Sequence, residues 1–252
     1  MISYKKSTDI LKKSKIIIKD EVIKNNDCFN RVVASNIFST TNNPLANNAA
    51  FDGFAINSKD TINLDKKNNK LFKILGTVAA GDKPFNDKLK KFQTVEIMTG
   101  GIIPNGLDTI IPIEQIFYYP NKKKPKYILI DKKINKGQHI RLKGSDYKKN
   151  DLLIKKGTIL QSSHILLLKT LGVKKIKVKK IPNILFFSTG NEISNKEKIP
   201  DWKVRNSNSH YIQSLSKNFL FNFKNGGILK DKDELILEKQ IKRMFNSKTD
   251  II

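Results

Sequence analysis

The sequence predicts a multidomain α/β protein with three parts: an extended N-terminal region of helix and β structure, a small all-β domain, and an incomplete doubly wound α/β domain. Three observations carry this reading. The chain has 252 residues and 38% hydrophobic content, long for one ordinary domain, so two or three domains are expected. From Leu71 to Ile134 short apolar runs alternate with turn residues in FKILGTVAAGD, VEIMTGG, DTIIPIEQIFYY and KYILIDKKI, the pattern of strands joined by turns. From Asn183 onward the order strand, helix, strand, helix, strand reads as a doubly wound sheet, where ligands bind beyond the carboxyl ends of the strands.

Taken in order, the segment up to about Asn36 reads as mostly helical, with apolar clusters at Ile10, Leu11, Ile16 to Ile18, Val22, Ile23, Val32 and Val33. Ser39 to Asp60 is rich in Thr, Asn, Pro, Ala and Gly, too turn-rich for a helix and long for a plain connection, which marks it as a candidate functional loop. Asn121 to Pro125 reads as a hairpin loop, and Gly137 to Leu160 as a compact β segment connecting two domains. SSHILLLKTLG predicts a helix with Ser162 or Ser163 as N-cap and Gly172 just past its end. NILFFSTGNEI is a buried-strand run ending in a polar loop. After it, Ile212, Leu215 and Phe219 share one helical face, GGIL is a short strand, and Leu237, Ile241, Met244 and Phe245 share a second helical face. Asp250 to Ile252 then opens a third strand. The corresponding domains are 1–48 with 137–173, 49–136, and 174–252.

The formal net charge of +25 invites a nucleic-acid reading, since clustered Lys and Arg neutralise phosphates. Only Arg31, Arg141, Arg205 and Arg243 are arginine, however, and the lysines are spread along the whole chain without an aromatic-rich RNA-binding signature. No specific nucleic acid is therefore expected, although a basic field draws in small polyanions. No run approaches the roughly 18 apolar residues of a spanning helix, and the start MISYKKSTDILKK lacks a secretory signal pattern. No membrane association and a cytoplasmic location are expected. Cys28 is the only cysteine, which rules out an intrachain disulfide and a cysteine-based zinc cluster.

EIMTGGIIPNGLDTIIPIEQ, Glu96 to Gln115, reads as strand, glycine turn, loop and strand, with no Lys or Arg in a lysine-rich chain. The chain has no Walker loop, GxGxxG, HExxH or GxSxG motif, and His139, His164 and His210 share no metal-ligand spacing. His164 falls in an apolar helix, where a satisfied core imidazole is the ordinary reading. What remains is a set of carboxylates in glycine-containing loops: Asp52 in AAFDGFAI, Asp108, Glu114, Asp146 in RLKGSD and Glu192 in STGNE. Each alone fits ordinary turn chemistry. Together they suggest a Mg²⁺ site, because that ion is held by one or two carboxylates plus waters and substrate phosphates. Thr99 and Ser188 are candidate phosphate donors, and the glycines would let backbone amides approach a phosphate.

The ordered motifs FDGFAI, AAGD, EIMTGGIIPNGLDTIIPIEQ, IRLKGSDYKKNDLLIKKGTIL, ILFFSTGNEI and VRNSNSHYI resemble the molybdopterin molybdenumtransferase family, which includes the C-terminal part of gephyrin. The resemblance runs from about Asp27 to the last residue. Departures from the family patterns are Phe51, Phe54, Gly101, Asn191 and Ile193, of which only Asn191 loses a charge. The resemblance implies a reaction that takes molybdate into the dithiolene of adenylated molybdopterin and releases AMP, with Mg²⁺ bridging carboxylates and phosphate. It implies that Asp52, Thr99, Asp146 and Glu192 are catalytic and that Asp52, Asp146 and Glu192 hold the metal. The implied substrate contacts are Gly100, Gly101, Arg141, Ser188, Thr189, Gly190 and Asn208. It further implies a homodimer, and a chain incomplete before the GGxSxG loop that follows the third strand in the family. Weighed against it are an inactive remnant or scaffold of the same family, a nonspecific nucleic-acid binder resting on charge alone, and the adenylyltransferase of the preceding step. The last shares the doubly wound domain but not FDGFAI or the β unit.

Overall fold

The computed structural model describes residues 2–14, 16–230, 238–239, 242 and 249–252. The chain divides into two compact units, residues 38–152 and residues 1–37 with 153–252. The second of these begins with α1 (Tyr4–Lys13), β1 (Asp20–Lys24) and β2, Ile37–Phe38, on whose last residue the other unit starts. The 38–152 unit holds β3 (Asn48–Ala49), β4 (Gly53–Ile56), β5 (Lys70–Val78), β6 (Gln93–Ile97), β7 (Thr109–Pro112), β8 (Phe117–Tyr119), β9 (Tyr127–Ile130) and β10 (Ile140–Arg141). Within β11 (Leu152–Ile154) the chain passes back into the unit of residues 1–37 with 153–252. There it continues with α2 (Ser162–Thr170), β12 (Lys175–Lys179), β13 (Asn183–Thr189), β14 (Ile193–Ser194), β15 (Val204–Arg205), α3 (Asn208–Ser216) and β16 (Asn222–Leu229). Among the described residues no helix is long and apolar enough to cross a membrane.

The 38–152 unit is built on a six-stranded sheet in the order β7-β4-β6-β5-β9-β8. The strands read from apolar alternation are there, and 120–126 joins the antiparallel β8 and β9 as the expected hairpin connection. The turn-rich 39–60 segment, however, contributes a central strand. All four residues of β4 are buried, because it lies between β6 and β7 and packs its alternate side chains into two cores. Phe54 and Ile56 join Phe72, Ile111 and Ile128, and Ala55 joins Val95, Ile97 and Ile110 on the other face. Gly53 has no room for a side chain, since a Cβ there would stand 2.1 Å from the Ile111 carbonyl oxygen.

In the other unit the N-terminal segment is helical only over α1, where the Ser3 side chain accepts the Lys6 N–H as N-cap. Val22 and Ile23, expected in a helix, lie instead in β1, paired antiparallel with β12. The strand's period of two turns Ile23 toward Ile176 and Val178 in the core and leaves Val22 exposed. In α2 the N-cap is Gln161 rather than a serine. Its backbone N–H donates to His164 Nδ1 at 3.0 Å, so His164 closes the helix start and is not a core imidazole. Gly172 follows the helix with φ +70°, as expected of a residue that must turn left-handed.

β13 and β16 are parallel, with α3 between them in sequence, and Ile251 bridges Ile184 in parallel. Leu185 donates its N–H to the Ile251 carbonyl at 2.9 Å. The short third segment thus lies on the far side of β13 from β16. The helical face expected at Leu237, Ile241, Met244 and Phe245 lies outside the described residues.

Candidate active site

β4 and β6 run antiparallel with Gly53 opposite Ile97, so the residue before β4 and the residues after β6 meet at one end of the sheet. Asp52 and Thr99 are those residues. Asp52 Oδ1 accepts the Thr99 backbone N–H at 2.6 Å and its hydroxyl at 2.7 Å. Those two donors, the hydroxyl first and then the N–H, hold the Asp52 carboxyl below the usual carboxylate range. The side chain is exposed, so the result is a fixed, ionised and accessible carboxylate.

The glycines of this loop do something other than the sequence suggests. The Gly100 N–H donates to the Ala49 carbonyl and the Gly101 N–H to the Met98 carbonyl, both at 2.9 Å. With the Thr99 N–H on Asp52, all three amides are engaged inside the unit instead of facing a phosphate. Gly100 has φ +83°, and a Cβ on Gly101 would stand 2.8 Å from Ile97 Cγ1. Here glycine serves a left-handed turn and close packing.

β3 connects this loop to the next candidate group. Ala49 bonds Gly100 and Gly101 through its backbone, and β3 pairs with β10, Asn48 opposite Arg141. The Arg141 guanidinium forms an ion pair with Asp146, whose Oδ2 also accepts Asn43 Nδ2 at 2.9 Å. Arg141 lowers the Asp146 carboxyl, and Asp146 in turn raises the guanidinium. Asp108 and Glu114 lie apart from these roles. Asp108 takes the Ser58 N–H at 2.7 Å and the Ser58 hydroxyl at 2.9 Å, holding the turn after β4, while Glu114 stands exposed in the turn Ile113–Gln115.

Sequence reasoning missed the asparagines that tie these segments together. Asn42 Oδ1 accepts the Lys149 N–H, Asn47 Oδ1 accepts the Lys143 N–H, and Asn48 Nδ2 donates to the Gly100 carbonyl. Their signal was visible as the run TNNPLANN, since Asn side chains bond nearby backbone readily.

The remaining predicted residues belong to the other unit. Ser188 is 4% exposed, and its hydroxyl donates to Asn206 Oδ1 at 2.7 Å. In this structure its proton therefore serves the interior of the unit. Thr189 ends β13 exposed, and Asn208 is the exposed first residue of α3. Gly190 has φ +140°, and a Cβ there would stand 2.5 Å from both carboxylate oxygens of Glu192, which folds back over it. Lys203 and Lys230 also bond this loop. The signal for Lys230 was topological, because parallel neighbouring strands bring their carboxyl ends together. Among the described residues no three or more His, Cys, Asp or Glu are grouped to hold a metal ion.

A family model described as the MoeA N-terminal region (domain I and II) matches residues 2–172. A molybdopterin molybdenumtransferase of Staphylococcus aureus (strain N315) is 32% identical over 226 residues, 88% of this chain and 52% of the relative. Another of that name, from Staphylococcus epidermidis (strain ATCC 12228), is 29% identical over 219 residues, 86% of this chain and 51% of the relative. The crystal structure of a molybdopterin biosynthesis MoeA protein from Pyrococcus horikoshii OT3 matches with a TM-score of 0.82 at 27% identity, covering 98% of this chain and 64% of that one. The chain spans about half the length of the curated relatives it matches.

Proposed function

The chain belongs to the MoeA N-terminal region family, and on that premise we propose that it acts in inserting molybdate into the dithiolene of adenylated molybdopterin, with AMP as the leaving product. The observation that carries this reading is the Asp52–Thr99 pair. A carboxylate that takes two hydrogen bonds on one oxygen and remains exposed is held in place at little benefit to a core, as a ligand-binding group is. The curated relatives named above are molybdopterin molybdenumtransferases, which supports the same assignment.

In this proposal Asp52 and Asp146 supply negative charge at the reacting centre, and Thr99 fixes Asp52. Arg141 is the cationic group for the substrate phosphates, and Gly100 and Gly101 shape the turn that carries Thr99. Mg²⁺ is the proposed cofactor. It needs only one or two carboxylates beside waters and phosphate oxygens, and Asp52 meets that need, being ionised and exposed with both Thr99 donors on one oxygen. When bound, the ion would neutralise phosphate charge as AMP departs. The net charge of +25 favours the approach of so anionic a substrate. We assign the protein to a cytoplasmic homodimer.

The test is AMP release from adenylated molybdopterin with and without molybdate, for the wild type and Asp52→Ala. The reading expects molybdate-dependent release that falls at least about tenfold in the variant. Wild-type protein that releases no AMP, or a variant that matches it, would refute the assignment.

A further inference from the structure

Phe51 stands directly before Asp52 and is 52% exposed. Phe54, three residues on, is 1% exposed and fills a core; Phe51 lies outside that core. Its backbone is nevertheless fixed on both sides. The Ala50 N–H donates to the His139 carbonyl at 2.9 Å, and the Ile113 N–H donates to the Asp52 carbonyl at 3.0 Å. The first of these bonds also brings His139 beside Phe51, where the two rings meet edge to face with centroids 4.9 Å apart and planes at 79°.

His139 is itself firmly placed. Its φ is +57°, a left-handed backbone that residues other than glycine seldom take, although His does so more readily than most. Just before it, the Gln138 carbonyl accepts the Ile110 N–H at 3.1 Å and the Gly137 N–H donates to the Asp108 carbonyl at 2.8 Å. The ring that braces Phe51 therefore sits on a segment fastened to β7. An edge-to-face pair touches through one edge and one face. Whichever ring gives the edge, at least one face of Phe51 stays clear of His139, and with half of the residue exposed, ring surface is open to solvent. An aromatic face held in place is a stacking platform for a flat heterocycle. Bracing it beforehand lowers the ordering cost that a freely rotating side chain would add to binding.

We propose that Phe51, braced by His139, is a binding residue that stacks against a flat nitrogen heterocycle of the ligand and sets that ring beside Asp52. The inference rests on the functional reading above for the identity of the ligand. Adenylated molybdopterin carries two rings of this chemistry, the pterin and the adenine.

The experiment uses the 252-residue chain, with AMP and neopterin as separate probes. The readout is the ring-proton resonances of Phe51, assigned by their loss in Phe51→Leu. Stacking puts those protons under a ring current, so at least one probe should move them upfield, and the probe that does so identifies the ring. For that probe Phe51→Leu, which keeps an apolar side chain but no aromatic face, should weaken binding about tenfold. Phe51→Tyr should stay within about threefold of the wild type. His139→Gly, which suits the left-handed backbone and removes only the brace, should weaken binding about threefold. Melting temperatures of the Phe51 variants should agree within about 4 °C because the side chain is exposed. The proposal is overturned if neither probe moves the Phe51 signals, or if Phe51→Leu leaves the affinity unchanged. Unchanged affinity with an altered sedimentation coefficient would assign the exposed ring to a subunit contact instead. Ring binding that depends on Phe51 without molybdate-dependent AMP release would sink the functional reading and leave the role of Phe51 standing.

Discussion

Two loops of this protein end strands and carry candidate site residues, and they are fixed by opposite charges. At Thr99 to Gly101 a carboxylate, Asp52, takes a backbone N–H, and the neighbouring amides close on Ala49 and Met98. At Gly190 to Ile193 an ammonium, Lys230, takes backbone carbonyls. The first loop spends its amides internally and presents an ionised carboxylate, which suits a cation or a substrate hydroxyl. The second spends its carbonyls on an ammonium. Two glycine-containing loops at strand ends are thus held by distant side chains of opposite sign, one through its amides and the other through its carbonyls.

The largest expected effect contrasts the glycines packed in the two units. Gly53→Ala places a Cβ 2.1 Å from a backbone oxygen in the middle of a sheet, which neither neighbour can move to avoid. Denaturant titration should show a loss above about 3 kcal/mol, at the upper end for overpacking. Gly226→Ala places its Cβ 2.3 Å from the ring of Phe187, a side chain that can swing, so its cost should be about half as large or less. Equal losses would mean that the sheet around Gly53 adapts as readily as an aromatic ring.

A smaller effect is expected at Ser188, which is buried and bonded to Asn206. Ser188→Ala leaves the Asn206 oxygen without that donor, and stability should fall by about 1–3 kcal/mol. A ligand-facing hydroxyl would instead leave stability unchanged, so the same denaturation curve separates the two roles.

Asp52 offers a test without any loss of fold. Its carboxyl is held down first by the Thr99 hydroxyl, so Thr99→Val should raise its midpoint toward the ordinary carboxylate value in a carbon-13 titration. The sign follows from linkage: a depressed folded-state pKa contributes stability above the unfolded-state value, and that contribution disappears as pH falls through the folded-state value. The variant should therefore lose less stability than the wild type on acidification below the usual carboxylate range. An unmoved midpoint would show that the hydroxyl bond does not act on the carboxyl. The smallest change is expected for Arg141→Met. Its exposed pair with Asp146 should leave the melting temperature within about 2 °C, although the Asp146 midpoint should rise.

These outcomes bear on what the sequence could reveal. The strands from Lys70 to Ile130 were legible because alternation and turn residues are local signals. β4 was hidden, since FDG looks like turn chemistry and GFAI becomes a strand only between β6 and β7. β1 was misread as helix because Val22 and Ile23 fit either period until β12 supplies a partner. Asp52 and Asp146 stood out as acids beside glycine, and the resemblance named their roles. The bond from Asp52 to Thr99, 47 residues away, depends on strand register, and the grip of Lys230 on a loop near residue 190 depends on which strands are neighbours. Neither leaves a local trace.

The central claim is that the charge of Asp52 serves a ligand and not the fold. Its most direct test is calorimetric titration of adenylated molybdopterin, with Mg²⁺ present, into the wild type and Asp52→Asn, a variant that can still accept both Thr99 bonds. The account predicts saturable binding to the wild type, at least about tenfold weaker binding to Asp52→Asn, and melting temperatures within about 4 °C of each other. Equal affinities, or an affinity loss matched by a collapse in melting temperature, would contradict it.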